Sequence, residues 1–249
     1  MSEFIDPIAG KTIIVTGASS GIGRATALML AKRGAAVAVA ARRLELVEEL
    51  ARSITESDGR ALAVATDVTV PGDLQELVAR TVDAFGGVDV LVNNAGLARL
   101  GRLDELDTAD WDAMIDVNVR GVLHGIAAVL PVFQRQGHGH VVTIVSTAGL
   151  VVSPTMAVYA ATKNAARTVI EGLRVESTVG VVRTTEVSPG FVRTDLADGM
   201  APEARERIQA GMRDFGLDPD AIARAVCFAI EQPHDVEIGS ITVRPTVQG

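Results

Sequence analysis

Seven short runs rich in β-branched and small apolar residues recur along this chain, each separated from the next by a stretch with helical spacing, and no other feature limits the fold so tightly. The runs are Thr12–Thr16, Ala36–Ala41, Ala61–Thr66, Val88–Asn93, His140–Ser146, Val182–Val187 and Ile238–Val243. Continuous apolar character, as opposed to alternation, marks strands covered on both faces. The helical segments between them fall near Ile22–Arg33, Leu44–Ser57, Gly72–Phe85, Ala109–Arg135, Pro154–Ser177 and Asp218–Glu231. This rhythm predicts an α/β fold, a doubly wound parallel sheet with helices on both faces. Neither linker, repeat nor low-complexity stretch divides the 249 residues, so a single domain is expected over 1–249.

The first run leads directly into T-G-A-S-S-G-I-G, Thr16 to Gly23, and then into helix. Glycines here let the backbone turn sharply and approach a pyrophosphate, whose charge sits against helix-terminal amides. The spacing, Gly17 then Gly21 and Gly23, is not the generic G-x-G-x-x-G, so its placement between strand and helix carries the reading. An acid at the end of the second strand would accept hydrogen bonds from a ribose 2′-hydroxyl and repel a 2′-phosphate. Here Val37–Ala41 is followed by Arg42 and Arg43. A guanidinium holds phosphate through paired, charge-assisted hydrogen bonds, which favours NADP(H) over NAD(H), with Arg42 first and Arg43 as helper; the alternative is a solvated helix start.

Val145 to Lys163 carries a hydroxyl, a phenol and an ammonium. Ser146 ends an apolar run, while Tyr159 and Lys163, four residues apart, share a helix face. Ser153 as N-cap and Pro154 at the first helical position are expected to start that helix. A free phenol has a pKa of about 10, and an adjacent ammonium would pull it down toward a usable general acid or base. In the preceding helix, Trp111, Ile115, Val122, Ile126 and Val129 form an apolar stripe that includes Asn118, which needs a partner. Phe191 to Gly216 holds Leu196, Met200, Met212 and Phe215 among charges and reads as a mobile helical flap or as surface helices without a catalytic part.

Composition narrows the partners. Hydrophobic residues make up 48%, enough for a large core, and a net charge of −8 without basic runs argues against nucleic acid or an anionic membrane. The single cysteine, Cys227, excludes an internal disulfide and reads as inert core; no Cys/His spacing resembles a metal site. His124, His138, His140 and His234 fit no catalytic constellation and read as surface or core residues. The N-terminus, M-S-E-F-I-D-P, has neither a basic start nor a signal-length apolar run, and no segment reaches ~18 uninterrupted apolar residues. A cytoplasmic protein is expected.

Together these motifs resemble the short-chain dehydrogenase/reductase family, in its compact single-domain branch, over nearly the whole chain. Thr16-Gly17-x-x-x-Gly21-x-Gly23 is similar to its cofactor turn, Asp67 to its adenine-contacting acid, and Asn93-Asn94-Ala95-Gly96 to its stabilising loop; Asn118, Ser146, Tyr159 and Lys163 match its catalytic four. Pro189-Gly190 followed by Thr194 resembles its nicotinamide-side turn, and the ending I-T-V-R-P-T-V-Q resembles NADP-dependent hydroxy-acid and serine dehydrogenase relatives. Ser20 stands where some NADP-using relatives carry a basic residue, leaving Arg42 and Arg43 to hold a 2′-phosphate.

The resemblance implies a Rossmann-type sheet of seven strands in the order 3-2-1-4-5-6-7, in a homotetramer or dimer packed through the fourth and fifth helices and the last strand. It implies cofactor contacts from Gly17, Ser19, Ser20, Gly21, Ile22, Gly23, Arg42, Arg43, Asp67, Val68, Asn94, Ala95, Gly96, Tyr159, Lys163, Pro189, Gly190, Val192 and Thr194. Substrate contacts are expected from Ser146, Ala148, Val151, Met156, Tyr159 and Phe191, with Gly149 and Val152 on the same wall. Tyr159 would exchange the proton, Lys163 tune it and hold the nicotinamide ribose, and Ser146 bond the same oxygen. Asn118 would hold a water feeding Lys163, or serve only helix backbone; Asn94 is expected to bond loop backbone.

The expected activity is NADP(H)-dependent interconversion of a carbonyl and a secondary alcohol, on a small to medium, largely apolar molecule. A carboxylate substrate would want Arg99, Arg193 or Arg205 folded inward. The alternatives are a 3-oxoacyl-thioester reductase, for which no basic surface is evident, and a non-catalytic NADP(H)-binding regulator, which would not need all of Ser146, Tyr159 and Lys163.

Overall fold

Seven strands, β1 (Thr12–Thr16), β2 (Ala36–Ala41), β3 (Arg60–Ala65), β4 (Val90–Asn93), β5 (Gly139–Ile144), β6 (Val182–Pro189) and β7 (Ser240–Val243), form one sheet. Its order is β3-β2-β1-β4-β5-β6-β7, and every neighbouring pair is parallel. The computed structural model describes residues 6–178 and 180–248; the start of the N-terminal stretch read above, Met1–Ile5, lies outside them. Among these residues there are eight helices: α1 (Gly21–Lys32), α2 (Leu44–Thr55), α3 (Pro71–Phe85), α4 (Thr108–Ile115), α5 (Gly121–Gln136), α6 (Ala157–Glu176), α7 (Pro202–Phe215) and α8 (Pro219–Ile230). The chain reverses direction across the sheet between β3 and β4, so the carboxyl ends of β1 and β4 frame a crevice.

Side chains alternate across each strand, and the apolar residues of one strand therefore feed two cores. Ile13, Val15, Val37 and Val39 pack with Leu30, Leu50, Ile222 and Ile230 on one face. Ile14, Ala38, Leu91 and Val141 pack with Leu74, Leu77, Val129, Phe133 and Ile170 on the other. Each such Leu, Ile or Val contributes about 1.5–3 kcal/mol. A third cluster, Ala98, Leu100, Met114, Ala148, Tyr159, Ala197, Met200, Ile208 and Met212, lies beyond the strand ends beneath α7. Cys227 is buried in the first core, and burial pushes its thiol up to about 11.

Several boundaries depart from the sequence expectation for identifiable reasons. Val88 leaves β4 because both of its backbone groups bond the Gln136 carboxamide, at 3.0 and 2.8 Å. Helix α6 does not start at Pro154. The Met156 N–H donates to the Ser153 carbonyl at 3.1 Å, closing a turn with Pro154 second and Thr155 third, the latter at φ 67°. Proline suits that turn position as well as it suits a first helical residue, so the local signal was ambiguous. The helix begins at Ala157 with Met156 as an N-cap that makes no side-chain cap bond.

The helix expected over Ala109–Arg135 is interrupted by a π turn, Asp116–Arg120, which rotates α5 relative to α4. The apolar stripe is consequently not continuous: Met114 is buried in place of Ile115, which is 39% exposed, while Val122, Ile126 and Val129 face the sheet. By length and composition Thr108–Gln136 could cross a membrane, yet Val129 and Phe133 are core residues against β4 and β5. Helix α7 and a short turn at Asp195–Ala197 make the 191–216 segment helical.

Candidate active site

The β1–α1 turn is built around glycines that permit no substitute. Gly17 and Gly21 have φ of 65° and 52°, and a Cβ on Gly17 would stand 2.7 Å from the Ala95 Cα. On Gly23 a Cβ would come within 2.4 Å of both Asn94 Nδ2 and the Gly17 carbonyl oxygen, so the first turn of α1 can press against the loop only there. Asn94 Nδ2 donates to the Thr16 and Gly17 carbonyls at 2.8 and 3.1 Å, and Thr16 Oγ1 accepts from the Asn94 and Ala95 amides. Ser20, the N-cap of α1, makes no side-chain cap bond, which leaves the helix amides for a phosphate. A dinucleotide pyrophosphate fits this cradle.

At the end of β2, Arg43 Nη2 donates to Ser19 Oγ at 3.2 Å, binding the second strand to the turn. Arg42 is exposed and makes no side-chain hydrogen bond or ion pair among the described residues. Asp67 accepts from the Thr69 amide and hydroxyl at 2.9 and 2.8 Å, and the Val68 carbonyl engages His124 Nδ1 at 2.9 Å.

Ser146, Tyr159 and Lys163 converge at the carboxyl end of β5. Ser146 caps a short turn, its Oγ accepting from the Ala148 amide at 3.1 Å. Tyr159 and Lys163 are buried on the same face of α6, the Lys163 Nζ 5.9 Å from the Tyr159 ring centre. Nζ donates to the Ile144 carbonyl at 3.0 Å. Burial pushes the phenol up to about 12, the Ser146 hydroxyl pulling the other way, and pushes the ammonium down to about 8. The expected depression of the phenol by Lys163 is absent: loss of hydration raises it, and only Ser146 pulls it down.

Asn118 lies behind this group in the π turn. Its Oδ1 accepts from the Leu97 amide at 2.8 Å, and Nδ2 donates to the Leu97 carbonyl at 2.8 Å and to Thr162 Oγ1 at 3.0 Å. The Thr162 hydroxyl donates to the Tyr159 carbonyl at 2.8 Å. A Cβ on Gly96 would stand 3.3 Å from Lys163 Nζ and 3.6 Å from Asn118 Oδ1, so glycine leaves the gap between them open.

One cavity of about 850 Å³ runs from Arg42 and Asp67 past Gly17 and Ala95 to Tyr159, Met200 and Met212. Every residue expected at cofactor or substrate lines it except Gly23, which packs behind the turn; Asn118 also stays outside. Of the extra wall residues, Gly149 packs against the Lys163 backbone and Val152 points to solvent, so neither lines it. Of the three arginines that could have folded inward, Arg99 lines the cavity and Arg205 does not, while Arg193 bonds the Gly216 carbonyl. Ile208, Arg244 and Gln248 also line it, and no local pattern marks them. Gln248 Oε1 accepts from the Phe191 amide at 3.0 Å, a contact made across 57 residues.

A doubly wound parallel sheet with a glycine turn at its switch point defines a dinucleotide-binding protein of the Rossmann class. More narrowly, the chain belongs to the short chain dehydrogenase family, which it matches over residues 11–205. It is 43% identical over 244 residues to an uncharacterized oxidoreductase of Listeria monocytogenes, covering 97% of this chain and 98% of that one. It is similar to the structure of an alcohol dehydrogenase from the archaeon Thermococcus sibiricus complexed with 5-hydroxy-NADP, with TM-score 0.85, 32% identity, and coverage of 96% and 98%. A short chain dehydrogenase/reductase from Burkholderia phymatum in complex with NAD gives TM-score 0.88, 29% identity, and coverage of 96% and 90%. The chain is an oxidoreductase of the NAD(P)-dependent carbonyl and alcohol type.

Proposed function

We propose that this protein interconverts a carbonyl and a secondary alcohol with NADP(H), Tyr159 exchanging the proton, on a small to medium substrate with a largely apolar body. The observation that carries the reading is the convergence of Ser146, Tyr159 and Lys163 on the cavity that the glycine turn opens into. The nicotinamide supplies or takes up the hydride. With its pKa raised to about 12, Tyr159 is protonated at neutral pH and suited to act as general acid toward a carbonyl oxygen. Ser146 Oγ is placed to bond that oxygen and steady its developing charge.

Lys163, buried beside Tyr159 on the same face of α6, would supply the proton that refills a phenolate left by proton transfer. A water in the gap beside Gly96, between Asn118 Oδ1 and Lys163, would return the proton from solvent. Asn118 has one lone pair of Oδ1 left for it after bonding Leu97. Arg42 and Arg43, with no acid at the end of β2, support NADP(H).

The test is NADPH oxidation over a carbonyl panel by wild type and Tyr159→Phe. Turnover is expected to fall about 10²- to 10⁴-fold with NADPH affinity unchanged. Turnover near wild type in the variant overturns the mechanism, and binding without turnover by the wild type favours a non-catalytic protein.

A further inference from the structure

We infer that a second cavity, at the amino edge of the sheet, binds a phosphate-type oxyanion as the counter-ion of Arg183. Lys11, Asp89, His138, His140, Arg183 and His234 line it. They stand where β1, β4, β5 and β6 begin and in the turn after α8. The residues of the cofactor cleft gather at the opposite, carboxyl end of the same strands. With a volume of about 170 Å³, against about 850 Å³ for the cleft, this cavity suits a tetrahedral oxyanion and not a dinucleotide.

Arg183 is a buried charge with no acid paired to it among the described residues; the residue is 9% exposed. Nη1 donates to the Gln232, Pro233 and Val236 carbonyls at 3.2, 3.0 and 2.8 Å, which clasps the turn after α8 and occupies carbonyls that would otherwise repel an anion. The side edge of a guanidinium, Nε with Nη2, is the fork that Arg33 presents to Asp6, both bonds being 2.8 Å. In Arg183 that edge is almost unused. Nη2 reaches His140 Nδ1 at 3.4 Å, and Nε is buried without a partner among the described residues. The nearby acids are committed elsewhere. Asp89 accepts from the Thr12 amide at 2.7 Å and engages His138 Nε2 at 2.9 Å, while Glu237 accepts from the Thr184 amide and hydroxyl at 2.7 and 3.0 Å. Burial pulls the Arg183 guanidinium below its ordinary value, and only Glu237 opposes it. A buried cation so placed calls for a counter-ion, and two oxygens of a phosphate match the open fork.

The other walls add donors and no free acid. Lys11 makes no side-chain hydrogen bond or ion pair among the described residues. His234 Nε2 faces the Gly180 carbonyl at 2.8 Å, an acceptor only, so Nε2 carries a hydrogen and Nδ1 remains open. His140 is enclosed between Arg183 and Thr185 and shapes the floor of the cavity. The charges of Arg183, Lys11 and His234 all bear on its ring, so the three converge at one place on the sheet edge. In a chain of net charge −8, such a local reversal of sign draws small anions.

The experiment is calorimetric titration of orthophosphate and of glycerol 3-phosphate into the protein with NADPH added to fill the glycine turn, against sodium chloride of equal ionic strength. The wild type is expected to bind at least one of them and to melt at a higher temperature in its presence than in chloride. Lys11→Met should weaken that binding about tenfold to a hundredfold and leave melting in chloride unchanged. Arg183→Gln should abolish it; where loss of the Nη1 bonds unfolds the turn after α8, Lys11→Met carries the test. Binding of orthophosphate alone upholds the site as that of a free ion, and binding of the ester upholds it as the seat of a phosphate group on a larger molecule. Heats no greater than those of chloride overturn the proposal. So does wild-type affinity in Lys11→Met, or a loss of binding that follows Arg42→Ala in place of Lys11→Met.

Discussion

His140 is moved further than Tyr159 or Lys163 in the cleft, chiefly by burial, and the consequence can be read in stability. Its ring is enclosed on β5, Nε2 against Thr185 Oγ1 at 2.9 Å and Nδ1 against Arg183 Nη2 at 3.4 Å. Desolvation, aided by the charges of Arg183, Lys11 and His234, lowers its pKa to about 3. An unfolded histidine titrates near ~6.5, so between the two values the unfolded chain binds a proton that the folded chain refuses. Stability from this site is therefore full above about pH 6.5 and falls as the pH drops toward 3. Urea unfolding at a series of pH values should show wild type losing more stability on acidification than His140→Asn; parallel profiles would refute the assignment. His140 opens an apolar run read as a strand, but its neighbours in sequence do not show that β6 closes over its ring, and protonation state follows from that enclosure.

At the scale of elements, the β1–α1 turn was legible because strand, glycines and helix are contiguous and each constrains the next. The reason Gly23 must be glycine was not, because the colliding atoms belong partly to Asn94, on a loop 71 residues away. Gly23→Ala would force the helix from the turn, at a cost of about 1–3 kcal/mol for an overpacked contact. A lower melting temperature and weaker NADPH binding by fluorescence titration are expected, with a wild-type response in both excluding the packing argument. The start of α6 illustrates the opposite case. Ser153-Pro154 satisfies the sequence rule for a helix start, yet the Gly101 amide donates to the Thr155 carbonyl at 3.1 Å and Arg207 Nη2 to Thr155 Oγ1 at 2.7 Å. Those distant partners hold the segment as a turn.

At the scale of the whole molecule, the cavity is assembled from the carboxyl ends of β1, β2, β3, β4, β5 and β6, the first turns of α6 and the 191–216 segment. Its charge is a property of that assembly, and the pairing of β2 with β1 brings Arg42 to the same cavity as the glycine turn. Arg42→Ala should raise KM for NADPH by about tenfold to a hundredfold and leave KM for NADH nearly unchanged. An unaltered preference would remove the 2′-phosphate from this end of the cavity.

By itself the sequence determined the alternation of strands and helices, the phosphate turn, and the sharing of one face by Tyr159 and Lys163. All of these follow from periodicity and short spacings that the backbone enforces locally. Only the tertiary structure decided that the phenol sits above and the ammonium below its ordinary pKa, that the Asn118 carboxamide bonds Leu97 and Thr162 and keeps one Oδ1 lone pair, and that Gln248 returns to Phe191. It likewise decided that Arg99 turns inward onto Gly199. Each depends on which distant surfaces exclude water and meet, and desolvation and contact are set by packing across the chain, not by order along it.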